Sequence, residues 1–88
     1  MTEVLFLLPG EDGSPTASGE EFRHLCNESD PISSLFNVIK KQLGQRLGQA
    51  TLHLALERGN TLAEIHPKSK DTVASLKGAR IIVGFKRA

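Results

Sequence analysis

Apolar positions in this chain fall into a helical stretch and several alternating ones. From Asp30 to Leu43, Ile32, Leu35, Phe36, Ile39 and Leu43 recur at helical spacing and share one face. Ser33, Ser34, Asn37, Lys40 and Lys41 fall mostly on the other side. Asp30 is an expected N-cap and Pro31 suits the first helical position, where a missing N–H has no partner to lose. Lys40 and Lys41 favour the C-terminal end of the helix dipole, and Gly44 is a plausible stop.

The flanking segments read as strands. Glu3–Leu8 is apolar on both faces, with Val4, Phe6 and Leu8 on one and Leu5 and Leu7 on the other, as in a strand whose second face is covered or used. Pro9–Gly19, rich in Gly, Pro and Ser, reads as a long mobile hairpin loop. Glu20–Cys26 alternates, with Phe22, His24 and Cys26 together. Thr51–Glu57 alternates most cleanly, Leu52, Leu54 and Leu56 against Thr51, His53 and Ala55. Arg58-Gly59-Asn60 signals a turn into a short edge strand, Thr61–Ile65. His66–Lys70 is a basic loop. Asp71–Leu76 reads as one helical turn capped by Asp71 and anchored by Val73 and Leu76. After a turn at Lys77-Gly78, Arg80–Phe85 is a β-branched strand. These elements predict an α+β domain in which one helix crosses a mixed sheet of four to five strands, the first and last strands central. The helix-facing set is then Val4, Phe6, Leu8, Phe22, Cys26, Leu52, Leu54, Leu56, Val73, Leu76, Ile81, Val83 and Phe85. Leu5, Leu7, Ala55 and Ile82 face away from the helix with no second helix to cover them, rimmed by His53 and Arg80. Clustered exposed aliphatics of this kind mark an interaction site.

Composition narrows the functional classes. Eighty-eight residues make one domain, and 39% hydrophobic with 24% charged residues is an ordinary globular balance. A net charge of +1, four Phe and neither Trp nor Tyr give no footing for nucleic acid or an acidic membrane surface. The opening apolar run is too short to span a bilayer and has no basic leader, so no signal peptide or membrane anchor is expected. A single cysteine, Cys26, excludes an internal disulfide and suits a reducing, intracellular setting. No spacing unites a nucleophile with its base, so no enzyme activity, catalytic residue or cofactor is expected. His24 and Cys26 share a strand face, but two ligands do not make a metal site. Residues 1–30 are acidic and the C-terminal third is basic. Lys68, Lys70 or Arg80 meeting Glu11, Glu20 or Glu21 of another copy would give a self-associating scaffold.

Local stretches resemble the ubiquitin-like, or β-grasp, family. Ser29-Asp30-Pro31-Ile32-x-x-Leu35-x-x-x-Ile39 is similar to its helix start, and Gly59-Asn60-Thr61-Leu62 to its glycine turn into a short fourth strand. Asp71–Leu76 followed by Gly78–Val83 is similar to its closing turn and last strand. The resemblance spans nearly the whole chain and consists of hydrophobic spacings. It implies a non-catalytic domain that docks another protein through the outer face of its sheet, with Leu5, Leu7, His53, Ala55, Arg80 and Ile82 as the binding set. The partner would be a protein, and the domain itself a monomer or weakly self-associating. Three features depart from the family: a long first loop, a shortened connection at Lys77-Gly78, and Lys86-Arg87-Ala88 in place of a terminal glycine pair. The last argues against a conjugated modifier and for the first domain of a longer protein.

Overall fold

A computed structural model describes residues 1–10, 12–14, 20–76 and 78–86. The readings made on Glu11, on residues 15–19, on Lys77 and on Arg87 lie outside these described residues. The elements follow in the order β1 (Thr2–Leu7), β2 (Glu21–Cys26), α1 (Ser34–Leu43), β3 (Thr51–Arg58), β4 (Thr61–Ile65) and β5 (Arg80–Lys86). Short 3-10 turns occupy Gly44–Arg46 and Val73–Leu76. The expected strands are present with ends shifted by a residue or so.

The strands form one five-stranded mixed sheet in the order β2-β1-β5-β3-β4. Only β1 and β5 run parallel, with Leu5 opposite Arg80 and Leu7 opposite Ile82. The antiparallel pairs are β1–β2, β3–β5 and β3–β4. The first and last strands are neighbours inside the sheet, as their two-sided apolar pattern demands. α1 lies on one face, burying Leu35, Phe36, Ile39 and Leu43 against Val4, Phe6, Leu54, Ile81 and Val83. The architecture is α+β, a mixed sheet with a single helix packed on it, compatible with a β-grasp.

The start of the helix differs from expectation. Asp30 does not cap it; its Oδ2 instead accepts from the Asn27 N–H at 3.1 Å. The backbone around Pro31 is already committed to the closing turn. Ile32 N–H donates to the Asp71 carbonyl at 2.9 Å, Val73 N–H to Asp30 at 2.8 Å and Ala74 N–H to Glu28 at 3.0 Å. Pro31 bridges Thr72 in this short antiparallel contact. Regular helix therefore begins at Ser34, after bonds of the tighter three-residue type from Ser34 to Pro31 and Leu35 to Ile32. Gly44 stops the helix as expected, at φ 53 with its N–H on the Lys40 carbonyl, and Leu47 packs into the core beyond it.

Two arginines fasten loops to this frame. Arg58 donates to the Ser75 and Leu76 carbonyls, both at 3.0 Å, securing the closing turn. Arg46 donates to the Pro9 carbonyl at 3.0 Å. In the described part of the first connection, Gly10 N–H donates to the Ser14 carbonyl at 3.2 Å, and the Gly13 carbonyl accepts from the Phe85 N–H at 3.0 Å. That segment thus lies beside the end of β5, beyond the last residue of β1. Asp12 is tied into the turn by the Ser14 N–H and hydroxyl, which hold its carboxyl below the usual carboxylate range.

Candidate functional site: the outer face of the sheet

Strand register lays out the face opposite the helix row by row. One row reads Glu21, Leu7, Ile82, Ala55, Glu64. The neighbouring row reads Arg23, Leu5, Arg80, Glu57, Leu62. The six expected binding residues are therefore brought together on β1, β5 and β3, and none points into the helix-side cluster.

Their exposure departs from expectation. Leu7 is 2% exposed and Ile82 is 7% exposed, so neither offers a free surface; Leu5 and Ala55 are half-buried. Leu7 and Ile82 stand side by side in the two innermost pairs of the sheet, each with same-face neighbours in its row. The Asp12–Ser14 turn lies beside the end of β5, where the Gly13 carbonyl accepts from the Phe85 N–H. The expectation of an open aliphatic patch is corrected to a small second apolar cluster with a polar surround.

Ion pairs within and between strands lie on the same face. Arg80 Nε donates to Glu57 Oε1 at 2.9 Å, and one Nη donates to the same oxygen. Arg23 lies 3.8 Å from Glu3 and 3.4 Å from Glu21. His53 Nδ1 lies 3.2 Å from Glu64 Oε1, on the diagonal between β3 and β4. Arg80 is thus less a free rim cation than half of a fastened pair.

Where the aliphatic cluster ends, a groove begins. The residue opposite His53 on β5 is Gly84. Glycine leaves that site of the pleat without a side chain, and Gly84 itself is buried at the base of a groove. The resulting groove, about 440 Å³, runs between Asp12–Ser14 and His53. It adjoins a second hollow of about 270 Å³ that includes Ala55, Glu64 and Ile82. His53 and Gly84 belong to both. Sequence reading placed His53 and Ala55 here but passed over Gly84, Glu64 and the Asp12–Ser14 turn. The available signal was the glycine itself, set between Val83 and Phe85 inside an otherwise β-branched and aromatic strand.

The chemistry of this face is hydrogen bonding around an apolar floor. The histidines do not pair a nucleophile with a base: His53 meets Glu64, His66 Nδ1 accepts from the Lys68 N–H, and His24 stacks on Phe22 at 6.3 Å. Cys26 is buried, its thiol pushed up from the ordinary range by desolvation and then by the Asp30 carboxylate. Among the described residues, no group of three or more His, Cys, Asp or Glu side chains is arranged to hold a metal ion. No helix among them is long and apolar enough to cross a membrane.

Fold and face together define a sheet-and-helix α+β domain with a shallow groove on the uncovered side. Compared with models of known families, with characterised proteins and with solved structures, the chain matched none.

Proposed function

We propose that this chain is a non-catalytic, ubiquitin-like binding domain that docks another protein against the outer face of its sheet, in an intracellular setting. The observation that carries the reading is the groove lined by Gly84, with the exposed His53 on one side and the Asp12–Ser14 turn on the other. Its floor is apolar and its border polar, the combination protein contacts favour at a core and rim. The resemblance to the ubiquitin-like family implies recognition on the same face.

The partner's contact centres on His53 and Ala55 rather than on Leu7, Ile82 and Gly84, which serve as the buried support beneath it. A chain carrying His53→Glu and Ala55→Lys tests this, because both positions keep some exposure. Partners that crosslink to the wild-type groove should be lost while the unfolding temperature stays close to wild type. An Asn37→Glu chain, altered on the exposed side of α1, should bind as wild type. Full binding by the folded double variant, or loss of binding in the Asn37 variant, overturns the reading.

A further inference from the structure

Apart from Met1, the large hydrophobic side chains exposed among the described residues are Leu25, at 57%, and Leu62, at 64%. They sit on the two edges of the sheet, Leu25 on β2 and Leu62 on β4. Both project from the outer face, Leu25 in register with Glu3 and Leu62 in register with Glu57. An edge strand presents unpaired N–H and C=O groups as a template for another strand.

The hydrogen-bonding phase of each edge follows from its inner neighbour. The connection Gly59-Asn60 leaves Arg58 paired with Thr61, and such a tight turn directs the Thr61 N–H to the Arg58 carbonyl. Bonding alternates along an antiparallel strand, so Thr61, Ala63 and Ile65 turn toward β3 while Leu62 and Glu64 turn to the open edge. At the other edge, Leu8 N–H donates to the Glu20 carbonyl at 2.8 Å. By the same alternation Phe22, His24 and Cys26 turn toward β1, and Glu21, Arg23 and Leu25 turn outward.

We propose that β4 of one copy of this chain pairs antiparallel with β2 of a second copy, Leu62 opposite Leu25, so that the sheet continues from copy to copy. In that register Glu64 falls opposite Arg23, and His66, just past β4, falls opposite Glu21. Every outward-bonding residue then meets another, and their side chains share the outer face. Ala63 and Ile65 meet His24 and Phe22 on the helix side. Neighbouring registers do worse. A shift of two residues one way sets Glu64 against Glu21 and Leu62 against Arg23; the other way it sets His66 against Arg23 and Glu64 against Leu25. A shift of one residue breaks the bonding phase and sends facing side chains to opposite faces. The charges engaged are available: Glu64 and Arg23 are more than half exposed and held only by loose surface pairs. Arg80, by contrast, is occupied by Glu57, so the contact belongs to the strand edges and not to opposed acidic and basic faces.

The contact is head-to-tail. Each added copy leaves a fresh β4 at one end and a fresh β2 at the other, so association continues unless a ring closes. It leaves the groove over Gly84 open and does not rest on the docking reading.

Sedimentation of the purified chain over a wide concentration range tests it without any other protein. The wild-type weight-average mass should climb with concentration. Leu62→Lys and Leu25→Lys chains should each stay monomeric, and an equimolar mixture of the two should form a dimer, since each retains the edge the other lacks. Glu64→Arg should weaken association about fivefold, the scale of one cross-strand charge pair, and Arg23→Glu in the same chain should restore it. Circular dichroism confirms that each variant is folded; should a lysine variant fail to fold, the charge exchange alone decides. A wild type that stays monomeric at millimolar concentration overturns the proposal. So does a mixture that remains monomeric, or a Leu25→Lys chain that associates like wild type, which would mean that β4 meets β4.

Discussion

The two faces of the sheet bury side chains by different means. On the helix side, Phe6, Leu54, Ile81 and Val83 meet Leu35 and Ile39, all at 0% exposure, and two layers of structure close over them. On the outer side, Leu7 and Ile82 are buried as well, beside a row that carries the Arg80–Glu57 pair and the exposed Arg23. A strand with two apolar faces can therefore be buried on both, although α1 lies on only one of them.

Mutations that act on one face and then the other sharpen this contrast. The largest effect belongs to the helix side: Leu54→Ala should cost about 2–5 kcal/mol in urea unfolding, since it opens a cavity between two layers. Leu7→Ala on the outer side should cost about 2 kcal/mol, at the low end of the core range, and well above the roughly 0.5 kcal/mol of an exposed site. A near-neutral Leu7→Ala would break the claim that this face has a core of its own. Gly13→Ala should cost about 1–3 kcal/mol, because Gly13 sits at φ 85 and a β-carbon there would lie 2.6 Å from Phe85 Cδ1. Thermal unfolding of that variant measures how firmly the Asp12–Ser14 turn is held beside the end of β5. The smallest change comes from the polar surround: Glu57→Gln should lose only about 0.5–1 kcal/mol, as expected of a partly exposed pair, with the loss shrinking in high salt.

Cys26 gives a chemical comparison between folded and unfolded chains. The folded thiol is buried and its pKa is raised, so reaction with a disulfide reagent at neutral pH should be slow and should accelerate sharply on adding urea. The sign for stability follows. The unfolded thiol ionises first, so its contribution to the fold is complete below the ordinary thiol range and is lost as pH rises through the folded value. A Cys26→Ala chain should show a flatter decline of stability above about pH 8.5.

Much of the fold was legible in the chain because it rests on periodicity. Helix spacing from Ile32 to Leu43 and alternation from Thr51 to Glu57 are local signals, and the structure keeps both. Asp30 shows where local reading stops. Its chemistry suits a cap, but the backbone around it is claimed by Asp71, Val73 and Ala74, from a segment far along the chain. The outer face shows the same limit. Which residues point outward follows from alternation, and all six expected residues share that side. How exposed each one is depends on strand order and tertiary packing, which no window of sequence reveals. Gly84 was visible as a letter, and its meaning appears only when His53 is found opposite it.

The pairing of β1 with β5 also sets a timetable. These two strands come from opposite ends of the chain and lie parallel at the middle of the sheet, and the turn that precedes β5 is the one that holds the helix start in place. Contacts between such distant segments form late and slowly, because a long loop must close before they reward it. During synthesis the β1–β2 hairpin and the helix emerge first, with one side of β1 open until β5 leaves the ribosome. The protein should behave as an all-or-none folder whose rate is governed by the arrival of its last strand. Its most vulnerable moment is the interval before that strand fills the gap.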